Sequence, residues 1–220
     1  MSEVLVNSYR FAVDVDPIAK DSEANANTAS SGTTLTVSLT VADNDNRILV
    51  VSAGSYNSSP TISGITWGST ALTQINTTIT DSDGRCDLWY LNDPVVSSDT
   101  VTVTWSGTAG RRGVGAICFY NTDGINDSSK NTVSSNTGAT VEGTITPTES
   151  NSAIVDGMLW LTGKTPVLQL TAGFATLISG DRAHGMQYDL SPTKDSANAM
   201  QYISTEGAGW AWCGAEIKNG

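Results

Sequence analysis

Charge is scarce in this sequence, and positive charge scarcest: Lys and Arg number 11 against 22 Asp and Glu, giving a formal net charge of −11 over 220 residues. That balance opposes attraction to a phosphate backbone, so nucleic acid is not expected as a partner. Histidine occurs once, at His184, and cysteine three times, at Cys86, Cys118 and Cys213, without any CxxC spacing. An odd, widely spaced set argues against a disulfide framework or a zinc site and reads as small buried core residues. No apolar run approaches the roughly eighteen residues of a membrane span, so no membrane partner is expected. No stretch keeps a three-and-four apolar spacing long enough for a sizeable helix. The opening Met1-Ser-Glu lacks the basic start of an export signal, and the apolar run behind it is broken by Asn7, Ser8 and Arg10. The expectation is synthesis in the cytoplasm without a signal peptide.

What the chain does have is strand pattern. Leu35, Val37, Leu39 and Val41 alternate with Thr34, Thr36, Ser38 and Thr40, the period of a half-buried strand. After the polar turn Ala42-Asp-Asn-Asp-Asn46 comes Arg47-Ile-Leu-Val-Val-Ser-Ala53, apolar on both faces like a fully buried strand. About a dozen short strands follow this pair, including Thr100 to Trp105, Gly113 to Tyr120, Thr140 to Thr146, Ser152 to Leu161, Gly185 to Leu190 and Trp210 to Lys218. Residues 121–138 are polar and turn-rich and read as an exposed loop. The expected fold is all-β: a two-sheet antiparallel sandwich, jelly-roll-like, over residues 31–220. Ahead of it, residues 1–17 read as an N-terminal strand arm with Leu5, Tyr9, Phe11 and Val13 as docking residues. Residues 18–30, without a large apolar side chain beyond Ile18, read as a linker.

For chemistry the material is thin. His184 sits in Gly180-Asp-Arg-Ala-His-Gly185 and reads as a surface turn residue rather than a general base. No nucleophile-elbow serine is legible, and an enzyme is not expected. The clusters Asp43-Asn-Asp-Asn46, Asp81-Ser-Asp-Gly-Arg-Cys-Asp87 and Asn121-Thr-Asp-Gly-Ile-Asn-Asp127 offer hard oxygen donors, but none completes an EF-hand. They read first as turns, with no cofactor required and a structural calcium as the alternative. In the last strand Trp210 and Trp212 share one face and Ala211, Cys213, Ala215 and Ile217 the other. The indoles either pack in a core or subunit interface, or lie outward as a platform for a glycan.

A resemblance rests on Arg47-Ile-Leu-Val-Val, Ile65-Thr-Trp-Gly68 with Leu72-Thr73, Leu88-Trp-Tyr-Leu-Asn-Asp-Pro94, Val101-Thr-Val103, Phe119-Tyr-Asn121 and Trp210-Ala-Trp212. This order resembles uncharacterised β-sandwich proteins of bacteria and tailed phages, and Val6-Asn-Ser-Tyr-Arg-Phe11 is similar to the start of some phage virion and tail-fibre proteins. The resemblance carries no catalytic residue. It implies a structural protein on the virion surface, as a capsid decoration, minor capsid or fibre component. Its expected partners are copies of itself and other virion proteins, assembled by symmetric contacts and by the arm adding to a neighbouring sheet. The alternatives are a carbohydrate-binding module and, behind it, a glycan-cleaving enzyme.

Overall fold

The computed structural model describes residues 15–56, 60–79, 84–170, 172–179 and 182–220. The arm residues Leu5, Tyr9, Phe11 and Val13 therefore lie outside the described residues, as do Asp81 and Asp83. The chain is all-β and antiparallel, the sandwich class its alternation predicts, and the sandwich occurs twice. Strands β1 (Ala19–Thr28), β2 (Gly32–Val41), β3 (Ile48–Tyr56), β4 (Ile62–Trp67), β5 (Thr70–Ala71), β6 (Thr73–Ile79), β7 (Gly84–Asn92) and β8 (Ser97–Tyr120) form the first half. The second half holds β9 (Thr122–Ser135), β10 (Thr140–Ile145), β11 (Ala153–Trp160), β12 (Val167–Leu168), β13 (Gly173–Ser179), β14 (Arg182–Asp189), β15 (Asn198–Ile203) and β16 (Trp210–Asn219).

The longest strand organises the first half. Residues 97–109 of β8 pair with β2 and β4, and residues 110–120 pair with β1 and β3. One continuous strand thus serves two sheets, turning the corner at Arg111, which takes a positive φ of 41°. Sheet I runs β2, β8, β4, β5, and sheet II runs β1, β8, β3, β7, β6. The second half has sheet III, in the order β9, β16, β11, β14, β13, and sheet IV, in the order β10, β15, β12.

These orders are the same order written twice. If β1, β3, β6, β7 and the second part of β8 are replaced by β9, β11, β13, β14 and β16, sheet II becomes sheet III. Replacing β2, β4 and the first part of β8 by β10, β12 and β15 likewise turns sheet I into sheet IV, with β5 as an addition. The registers agree: Ile48 pairs with Phe119 and Ala153 with Ile217, while Leu35 pairs with Val103 and Val141 with Tyr202. Even the turn before the central strand recurs, with Asn46 at φ 50° before β3 and Asn151 at φ 59° before β11. Asparagine tolerates this left-handed conformation better than most residues.

The four sheets stack as I, II, III, IV around three cores. Between I and II lie Leu39, Leu49, Val51, Trp67, Val101, Val103 and Trp105. Between II and III lie Ile48, Val50, Leu88, Ile117, Phe119, Val155, Leu159 and Met186. Between III and IV lie Ile145, Ile154, Met158, Trp160, Tyr202, Trp210 and Trp212. Sheets II and III are covered on both sides, which is why Ile48-Leu-Val-Val51 and Ala153-Ile-Val155 are apolar without alternation. The halves meet through equivalent faces, as in a two-fold dimer. Cross-links at the two sides match as well: Asn27 of β1 donates to the Thr176 hydroxyl of β13 (3.3 Å), and Asn76 of β6 to the Asn131 carbonyl of β9 (3.1 Å).

Two expectations are corrected. The segment read as a linker, 18–30, contains β1, a ten-residue strand laddered to β8 from Ala19↔Tyr120 to Thr28↔Arg112. Ile18 is buried in the central core, and Ala24 and Ala26 pack on the core between I and II. An edge strand needs only small apolar groups there, so alanine suffices where a central strand would show valine or isoleucine. The segment read as a loop, 121–138, is mostly β9, whose polar residues lie on the rim of sheet III.

Candidate functional site

The sequence-proposed tryptophans come first. Strand β16 runs between β11 and β9, and its small face, Ala211, Cys213, Ala215 and Ile217, meets sheet II. The opposite face must fill the space below sheet IV, and Trp210 and Trp212 do so, at 6% and 0% exposure. Neither offers an outward platform. All six tryptophans of the chain are buried in this way.

Trp212 also serves a polar cluster that the sequence did not reveal. Its indole N–H donates to Asp156 Oδ2 (2.6 Å), and the Tyr202 hydroxyl (2.5 Å) and Gln187 backbone N–H (3.0 Å) donate to Oδ1. Gln187 Nε2 adds a fourth bond, to Oδ2 (3.2 Å). Burial nevertheless pushes the Asp156 carboxyl up to about 7. In the register of the repeat Asp156 stands where the first half has Val51.

His184, expected in a surface turn, is buried on β14 between sheets II and III. Its neighbours make the room: a Cβ on Gly113 would lie 2.5 Å from His184 Cβ, and one on Gly157 2.0 Å from Ser52 Oγ. His184 Nε2 lies 3.1 Å from that Ser52 hydroxyl, and Cys86 Sγ lies 3.7 Å from the same oxygen. Burial drives His184 down to about 3, so the ring is neutral. This Ser-His pair has the distance of a nucleophile and its base, but both residues are sealed in the core. A third buried cluster, on β7, joins Arg85 and Asp87 through two hydrogen bonds (2.5 and 3.1 Å), with Gln74 donating to Asp87 (2.8 Å). Burial raises the Asp87 carboxyl against the pull of Arg85.

The acidic turns hold ordinary partners. Asp43 pairs with Arg47 (3.7 Å), Asp123 with Lys218 (3.0 Å) and Asp127 with Lys130 (3.1 Å). Among the described residues no group of three His, Cys, Asp or Glu is placed to hold a metal ion. The three cysteines are buried thiols, and Cys213 Sγ donates to the Cys86 carbonyl (3.1 Å).

Grooves open at the strand edges of both halves. Strands β1 and β2 each ladder to β8 on one side and have no ladder partner on the other among the described residues. At their base the two are tied: the Ser22 hydroxyl donates to the Thr40 carbonyl (2.6 Å), and Ala42 N–H donates to Asp21 (2.9 Å). Beside the tie opens a groove of about 500 Å³, lined by Ser22, Glu23, Ser38, Thr40, Ser98 and Asp99, with Ala24 and Leu39 in its wall. The matching position of the second half, between β9 and β10, has a smaller groove of about 230 Å³. Below the first groove the chain enters the fold. Asn219 Nδ2 donates to the Asp16 carbonyl (2.9 Å), Asn121 Nδ2 donates to the Pro17 carbonyl (2.9 Å), and Ile18 plugs the central core.

No family model matches the sequence, and no match is found among curated proteins or among solved structures.

Proposed function

We propose that this chain is a non-enzymatic structural protein of a phage particle surface, a decoration, minor capsid or fibre component, which works by joining copies of itself and neighbouring virion proteins. The observation that carries the reading is the pairing of a strand-patterned segment with an open edge. Residues before Val15 alternate like a strand, the chain behind them is pinned at Asp16 and Pro17, and the outer sides of β1 and β2 have no ladder partner among the described residues. An extended segment added to such an edge gains main-chain hydrogen bonds and pockets for alternate side chains. The phage setting rests on the sequence resemblance. A surface of hydroxyls and acids, as on the outward residues Thr34, Thr36, Ser38 and Thr40, suits a protein facing solvent.

The test is the mass of the full chain in solution together with a glycan titration followed by tryptophan fluorescence. A stable oligomer with no glycan response supports assembly. A monomer that binds a glycan moves the function to a carbohydrate-binding module, working through a surface other than Trp210 and Trp212.

A further inference from the structure

We infer that the Asp16–Pro17 bond is a self-hydrolysis site at which the chain sheds residues 1–16. An Asp–Pro bond carries its own nucleophile, because the aspartate carboxylate reaches its own main-chain carbonyl through a five-membered ring. Proline supplies the leaving group, a tertiary amide nitrogen without an N–H that takes up a proton more readily than other peptide nitrogens. The chain has two such bonds, Asp16–Pro17 and Asp93–Pro94, and the fold treats them differently. Asp16 and Pro17 are exposed, and among the described residues the Asp16 carboxylate has no hydrogen bond or ion pair to turn it from its own carbonyl. The oxygen of that carbonyl already faces a donor, Asn219 Nδ2 (2.9 Å). The same nitrogen donates to the Asn121 carbonyl (3.1 Å), so the amide is fixed before any charge develops. On the leaving side, Asn121 Nδ2 donates to the Pro17 carbonyl (2.9 Å) and Ile18 is buried in the central core. Asp93–Pro94 lacks this arrangement: Pro94 is buried, its carbonyl accepts from Arg47 Nε (3.3 Å), and among the described residues no side chain donates to the Asp93 carbonyl.

In the reaction one carboxylate oxygen of Asp16 adds to the Asp16 carbonyl carbon, and the negative charge moves to the main-chain oxygen facing Asn219. A preorganised donor at that place lowers the barrier. The bond from that carbon to the Pro17 nitrogen then breaks. Its electron pair goes to nitrogen, which takes a proton from acidic water and leaves as a secondary amine. Asp16 remains as a five-membered cyclic anhydride, which one water molecule opens to two carboxyl groups. The sum is the hydrolysis of one peptide bond, with nothing oxidised or reduced. The body keeps its structure, because the first ladder pair is Ala19↔Tyr120 and Ile18 stays in place. That this loss would release joined copies rests on the assembly reading; the cleavage itself does not.

Intact-mass spectrometry of the full chain held in mildly acidic buffer, with the fold followed by near-ultraviolet circular dichroism, tests this whatever the oligomeric state. Fragments 1–16 and 17–220 are expected well before any break at Asp93–Pro94, whereas in urea the two bonds should break at similar rates. Asp16→Ala removes the nucleophile and should abolish the first break. Asn219→Ala removes the donor and should slow it by about tenfold, less than for an oxyanion hole sealed from water. Equal rates at the two bonds in the folded chain, or no break at Asp16–Pro17, overturns the proposal. So does a folded Asn219→Ala chain that cleaves as fast as the native one. Should that variant fail to fold, the ratio of the two breaks in the native chain, folded against urea-unfolded, decides alone.

Discussion

Asp156 and His184 are buried titratable groups with opposite demands. Asp156 is pushed up to about 7 and His184 down to about 3, against unfolded values near ~3.9 and ~6.5. Asp156 holds its proton more tightly when folded, so its contribution is full below pH ~4 and lost as pH rises through about 7. His184 holds its proton less tightly when folded, so its contribution is full above pH ~6.5 and lost as pH falls toward about 3. Between pH ~4 and ~6.5 the slopes oppose each other, each about 1.4 kcal/mol per pH unit. Urea midpoints of the native protein should therefore change little over that window. Asp156→Asn should leave stability falling toward acid and His184→Gln should leave it rising; parallel profiles for all three would contradict the assignment. Space is equally specific here. Gly113→Ala forces a Cβ against His184 Cβ and should cost about 1–3 kcal/mol, with His184→Gly, which removes that Cβ, recovering much of it in a double-mutant cycle. The buried cysteines were legible from their apolar surroundings. His184 was not, because its glycine neighbours signal a turn in sequence and a close approach of two sheets in space.

At the scale of elements, β2 and β3 were plain because alternation and its absence report one covered face or two. β1 and β9 were not, because edge strands bury little and their Ala, Asn, Ser and Thr residues look like linker and loop. The difference can be measured. A chain beginning at Val15 keeps β1 and should melt within a few degrees of the full chain. A chain beginning at Ser31 loses the β1 ladder and the burial of Ile18, and should melt far lower or fail to fold. Equal melting of the two shortened chains would mean that β1 adds nothing to the fold.

The duplication belongs to the whole molecule, and the sequence hides it. Ile48-Leu-Val-Val51 and Ala153-Ile-Val-Asp156 hold equivalent places, yet one carries valine where the other carries a buried carboxylate with its own donors. Only strand order and register reveal the repeat. Because the halves meet through equivalent apolar faces, neither should be content alone: fragments 15–121 and 122–220 made together should purify as a one-to-one complex, and two independently soluble monomers would contradict the central core. The central functional claim is that this stack joins others through its arm and open edge. Light scattering of the full chain beside a chain beginning at Val15 tests it most directly. The account predicts an oligomer for the first and a folded monomer for the second; the same monomeric mass for both would contradict it.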